Sequence, residues 1–288
     1  MRAVERVPRA FPGRGLTKRP TLTHVEPRDP AVPGLLRRGR IEITGRLVDA
    51  SNATLFGTVT TDGLEAQCVY KPVRGERPLW DFPDGTLAGR EVATYLVSEA
   101  AGFGVVPPTV LRDGPFGPGM VQIWVDTDDE RELVDVRPPT DVPPGWLGVL
   151  RARGDRGEPA VLVHADTPEL QAMAAFDVVT NNADRKGGHV LAGVDGNVYG
   201  VDHGLCLHAE EKLRTVLWGW VGRPLPEHVV EALRRLRSEF DDGLRDALSE
   251  HITRREMRTL SARVDGLLHD PCYPEPSGYG PAIPWPAF

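Results

Sequence analysis

The chain has 288 residues, 40% of them hydrophobic and 26% charged, with a formal net charge of −7. That length suits one large domain or two small lobes around a cleft, and the acidic balance gives no drive toward nucleic acid or an anionic membrane. No apolar run reaches transmembrane length, and the basic N-terminus lacks a signal-peptide core, so a cytoplasmic protein is expected. Three scattered cysteines form no CxxC pair, which argues against a disulfide framework or a zinc site.

Residues 1–33 carry Pro, Gly and Arg without a sustained period and read as a flexible leader. From Arg40, RIEITGRLV alternates apolar and polar residues. TLFGTVT (54–60) and AQCVYKP (66–72) follow, and the three predict an antiparallel meander. A helix is predicted over 86–101 with Gly102 as its stop, then strands near 109–112 and 120–125. The stretch 126–158 is acidic and Pro-rich and reads as a lobe-connecting excursion, its DTDDERE run a solvated loop. Helices then dominate. One starts at Thr167-Pro168, others cover 226–238 and 240–251, and the last opens on Thr253 with Glu256 completing a capping box. HVLAGV and NVYGVD flank Asp195-Gly196, a hairpin signal. Residues 271–288 read as an irregular tail strapped to the body by its aromatics. The expected organisation is a leader at 1–33, an N-lobe at 34–126, a C-lobe at 127–270 and a tail at 271–288.

The densest cluster of chemically capable residues is NNADRKGGH (181–189), followed by VDHG (201–204). A hairpin joins its own ends, so Asp184, His189 and Asp202 are expected to share one small volume. Phosphoryl transfer needs such a pair of carboxylates, one to orient the attacking oxygen and one to hold metal on the phosphates. The plainer reading, ordinary turns and a surface Asp184-Arg185 ion pair, stands beside it for this segment alone. Lys71 ends the third strand, and Glu91 lies on a partly apolar face of the following helix. A carboxylate there needs a partner, and Lys71 is the available one. The loop DASNATLFG (49–57) is small enough to turn backbone N–H groups toward phosphate, with Ser51 and Asn52 as side-chain donors. His164, His203 and His208 show no metal spacing and are expected to be structural, His203 close to the site. The stretches LRRLR (233–237) and TRREMR (253–258) read as solvated faces.

The order small-residue loop, strand lysine, helix glutamate, connector, Asp-Arg loop and strand-end Asp-x-Gly gives the chain its resemblance. It resembles the phosphatidylinositol 3-/4-kinase-like branch of the protein-kinase-like superfamily, more narrowly its small actinobacterial kinase-related members, over about Arg40 to Leu268. The resemblance implies an α+β, two-lobed fold, with an antiparallel sheet and one helix in the N-lobe and a mainly helical C-lobe. It implies an ATP-dependent phosphotransferase, a kinase using Mg or Mn. Asp184 and Arg185 would form the catalytic loop, and Asp202 with His189 the metal site. Lys71, Glu91, Ser51, Asn52, Ala53 and Thr54 would serve the phosphates. Gln122, Ile123, Trp124 and Val125 would border the adenine. His189 stands where the branch has Asn, and SNAT replaces its glycine-rich loop. The segment after Asp202 is short, with Lys212, Arg214 and Arg223 as its basic residues, so a protein or small-molecule acceptor is expected over a lipid. Trp218 and Trp220 leave peripheral membrane contact open. An ATP-binding pseudokinase and an AMP transferase on the same fold are the alternatives.

Overall fold

The computed structural model describes residues 4–6, 23–47, 52–61, 63–154 and 156–288. It opens with strands β1 (Val4–Arg6) and β2 (Thr23–His24) and helix α1 (Val32–Arg38), followed by β3 (Arg40–Leu47), β4 (Leu55–Thr61) and β5 (Leu64–Pro72). Helix α2 (Leu87–Ala101) leads into the hairpin of β6 (Thr109–Gly114) and β7 (Gly117–Ile123). The sheet order is β1-β3-β4-β5-β7-β6, antiparallel apart from β2, which pairs parallel with the start of β5. Then come β8 (Val134–Arg137), β9 (Trp146–Arg153) and β10 (Pro159–Ala165), a second antiparallel sheet in the order β8-β10-β9. Helix α3 (Pro168–Thr180), the hairpin β11 (Val190–Ala192) and β12 (Val198–Gly200), and helices α4 (Glu227–Glu239), α5 (Leu244–Ser249) and α6 (Arg254–His269) complete the chain. Among the described residues this is an α+β architecture of antiparallel sheets and six α-helices.

Period two sorts the main sheet. In β5, Ala66, Cys68 and Tyr70 face a core shared with Leu35 and Leu36 of α1 and Val121 of β7. Val69 and Lys71 point the other way. On that second face Met120 of β7 packs with Ala88 and Val92 of α2. The opposite side of α2 enters the larger core, where Val97 joins Met173 and Phe176 of α3, Leu233 of α4 and Leu260 of α6. One helix therefore ties the sheet to the helical half, and each such fully buried side chain contributes about 1.5–3 kcal/mol.

Four expectations change. The leader gives way to structure well before residue 33: β2 pairs with β5, and Val25 and Val32 are buried in the sheet core. The excursion at 126–158 contains β8, β9 and the start of β10, because VDVR, WLGVLRAR and PAVLVHA carry enough β-branched and aliphatic residues to pair despite intervening prolines. The helix expected over 240–251 shortens to α5, since Gly243 takes φ 107 and breaks it. The aromatic strap of the tail changes in part: Trp285 is 92% exposed and takes no share, whereas Tyr273 packs against Trp220 and donates to the Gln171 carbonyl, and Phe288 rests on Gly187. The capping box is present at Thr253 and Glu256, and the Val190–Gly200 pairing forms the hairpin expected around Asp195-Gly196. No helix of the described residues is long and apolar enough to cross a membrane.

Candidate active site

Strand register places Lys71. β7 pairs Met120 with Lys71 and Gln122 with Val69, and α2 lies over Met120, which brings Glu91 alongside. Lys71 Nζ is 2.5 Å from Glu91 Oε1 and 2.7 Å from Asp202 Oδ1. Burial works against the ammonium, but Asp202 and Glu91 outweigh it and hold Lys71 above its ordinary range. Glu91 is 2% exposed; burial raises its carboxyl, opposed by Lys71 and by the His203 N–H donated to it at 3.0 Å. The first turn of α2 is satisfied locally. Gly89 N–H donates to Thr86 Oγ1 at 2.9 Å, while Leu87 and Ala88 donate to Glu76 at 3.0 and 2.8 Å.

The Asp-Arg loop begins where α3 stops. Asn181 adopts φ 51, the left-handed position that ends helices, and its side chain bonds the His208 and Glu210 carbonyls and the Lys212 N–H. Asn182 Oδ1 accepts the Asp184 N–H at 2.9 Å, and its amide donates to Asp177 at 3.0 Å. Arg185 is fully buried. It donates to both oxygens of Asp177 and reaches His203 Nε2 at 2.8 Å. A guanidinium only donates, so His203 accepts there and is neutral. Burial, then Arg185, holds its pKa well below the ordinary value.

The β11–β12 hairpin closes the site. Val201 N–H donates to the His189 carbonyl at 3.0 Å, which sets Asp202 beside His189. Asp202 sits at φ 63, a conformation Asp tolerates better than most residues and one that concentrates at functional positions. His189 Nδ1 donates to the Asp184 carbonyl at 2.9 Å, and Nε2 lies 3.4 Å from Asp202 Oδ2. Nε2 and the carboxylate therefore face each other, a donor combination that suits a divalent cation when the ring is neutral. Among the described residues no three His, Cys, Asp or Glu side chains cluster closely enough to hold an ion by themselves. Magnesium that arrives with nucleotide takes one or two carboxylates and completes its shell with phosphate and water oxygens. Asp202 and His189 fit that mode once Lys71 yields Asp202 Oδ1. Asp184 has Lys186 Nζ at 3.4 Å from Oδ2. Burial pushes its carboxyl up to about 6, with Lys186 opposing and Asp202 adding.

Two adjoining cavities connect these groups. One of about 580 Å³ is lined by Lys71, Glu91, Asp184, His189 and Asp202, with Asn52, Ala53 and Thr54 at its rim. The other, about 390 Å³, is lined by Gln122, Ile123, Trp124 and Val125. Val69, Gln122, Gly188 and Val201 border both. Ser51 lies outside the described residues. Asn52 Oδ1 accepts the Arg77 N–H at 3.0 Å, so that oxygen braces the loop. Arg185, expected in the catalytic loop as the residue that steadies it, lines neither cavity: Asp177, His203 and two carbonyls take up its donors in the interior.

The sequence assigns no individual site role to Asp177, to Asn181, Asn182 and Lys186 within NNADRKGGH, or to Phe288. Asp177 left a signal: a carboxylate inside the apolar run AAFDVV must find a buried partner. Lys186 adjoins Arg185, and nothing in its spacing separates it from a surface lysine. Phe288, 104 positions from Asp184 in the chain, is visible only in three dimensions.

No family model matches the chain. It is 50% identical over 263 residues to Protein Rv2133c of Mycobacterium tuberculosis, covering 88% of this chain and 94% of that protein. Among solved structures it is similar to the proinflammatory kinase CtkA of Helicobacter pylori, with 10% sequence identity and a TM-score of 0.42 over 83% of this chain and 94% of that one.

Proposed function

The chain belongs to the same family as Protein Rv2133c, and we propose that it is an ATP-dependent phosphotransferase of the atypical phosphatidylinositol 3-/4-kinase-like type. In this reading residues 34–126 and 127–270 act as two lobes about the cleft, and a protein or small-molecule hydroxyl, rather than a lipid, is the acceptor. One observation carries it: Lys71, Glu91, Asp184, His189 and Asp202, drawn from a sheet, a helix, a loop and a hairpin, line one cavity. That cavity runs on into the one bordered by Gln122–Val125, where the adenine would lie.

The roles follow from position. The acceptor oxygen attacks the γ-phosphorus, the bond to the β,γ-bridging oxygen breaks, and ADP leaves with that electron pair. Asp184 takes the acceptor proton; a carboxyl near 6 is ionised at neutral pH and still a usable base. Lys71, steadied by Glu91, holds phosphate oxygens, and Asp202 with His189 would hold magnesium or manganese. Such an ion neutralises charge on the phosphates and aligns them. Arg185 acts through His203, fixing the loop against the Asp-x-Gly turn.

Nucleotide binding without turnover is the second reading. The 2.7 Å contact between Lys71 and Asp202 favours it, since that oxygen must be released before it meets a metal. Labelled ATP decides between them. Protein incubated with γ-labelled ATP, magnesium or manganese and an extract of its source organism is expected to transfer label to a protein or metabolite. Binding of ATP with no transfer would establish the second reading. Transfer from α-labelled but not γ-labelled ATP would make the reaction AMP transfer.

A further inference from the structure

The segment 282–288 runs along the cleft. Ala282 O accepts hydrogen bonds from Thr215 N–H at 3.0 Å and Trp218 Nε1 at 2.8 Å, and Ala287 O accepts from Gly187 N–H at 2.8 Å. Ile283 and Ala287 pack on the larger core. These contacts deliver Phe288 to the wall of the cavity that holds Asp184 and Lys186, while the cavity bordered by Ile123–Val125 does not include it. The ring rests on Gly187, where any Cβ would collide with it. Gly187 does not have a positive φ, so its backbone would accept a side chain, and the Phe288 ring is what that side chain would displace. Phe288 is 49% exposed against 92% for Trp285, as a ring that walls an open cavity should be.

Building on the phosphotransferase reading, we propose that residues 282–288 form the acceptor-side wall of the cleft and that Phe288 determines acceptor specificity. The ring rests on Gly187, three residues beyond Asp184 in the same loop, and lines the cavity that Asp184 borders, where an acceptor hydroxyl must arrive. It admits small alcohols and blocks an extended polypeptide. The acceptor class is accordingly a low-molecular-weight hydroxyl compound.

The test compares wild type, Phe288→Ala, Phe288→Tyr and Gly187→Ala, with γ-labelled ATP and magnesium and with β-casein as an extended polypeptide acceptor. Phe288→Ala is expected to label β-casein about tenfold faster than wild type, with the KM for ATP changed by less than about twofold. Phe288→Tyr, which keeps the wall, should behave as wild type. Gly187→Ala should reproduce Phe288→Ala by expelling the ring, and the double variant should add little to either. Unchanged β-casein labelling with wild-type ATP turnover intact would overturn the proposal alone. A rise in the KM for ATP as the main effect would also overturn it, assigning the ring to the nucleotide. If wild type neither bound nor turned over ATP, the phosphotransferase reading would fall first, and this proposal with it.

Discussion

Two cations in this molecule each bind a carboxylate near a glycine-containing turn, yet they do different work. Arg185 is fully buried, and Asp177, His203 and the carbonyls of His189 and Val201 take up its donors. Lys71 keeps 20% of its side chain exposed, and its partner Asp202 is half exposed on the cavity wall. A saturated buried pair locks geometry and has nothing left to offer a ligand. A pair open on one side can exchange a carboxylate for a phosphate or a metal. Burial, more than residue type, separates scaffold from working site.

The sharpest way to break that contrast is to remove Asp184 from the working side. Asp184→Asn is expected to lower phosphoryl transfer about 10²–10⁴-fold while ATP affinity, read by calorimetry, stays near wild type. Parallel loss of binding would return Asp184 to a structural role. On the scaffold side, Asp177→Ala leaves a buried guanidinium without its carboxylate and should cost about 3–5 kcal/mol of stability, measured from urea unfolding at constant slope. Lys71→Met should cost only about 1 kcal/mol, because Glu91 can take up a proton and Asp202 reaches water. The same variant should weaken ATP binding about tenfold. Equal destabilisation by Asp177→Ala and Lys71→Met would erase the distinction.

The smallest effect is in pH. The Asp184 carboxyl is raised from 3.8 to about 6. Its stabilising contribution is therefore complete below pH 3.8 and disappears as pH rises through about 6. Asp184→Asn should then exceed wild type by about 1 kcal/mol at pH 8, the partial exposure of the side chain limiting the gain. That gap should close by pH 4. Thermal melts at the two pH values check it, and a gap of the same size at both would remove the ionised carboxylate as its cause.

Much of the frame was legible because it is local. Alternation in RIEITGRLV and AQCVYKP marked strands, Thr167-Pro168 and Thr253 with Glu256 marked helix starts, and Asp195-Gly196 marked the hairpin that joins Asp202 to His189. Glu91 was legible too, since a carboxylate on a helix face that turns apolar requires a cation. The strands β8 and β9 were hidden by prolines around them, and β2 by its length of two residues. Pairing that depends on a distant partner leaves little trace in a short segment.

The sequence by itself determined which groups were chemically capable: Lys71, Glu91, Asp184, His189 and Asp202, each identified by its neighbours along the chain. Only the tertiary structure decided which capable groups face the cleft. Arg185 and Asp184 are adjacent in sequence, yet one is sealed against Asp177 and the other borders the cavity. Phe288 carries no local sign of function at all, and reaches the cavity that Asp184 borders because backbone bonds at Ala282 and Ala287 carry the tail to the loop. The physical reason is that chemical capability resides in a side chain, whereas exposure and proximity are set by contacts between residues far apart in the chain.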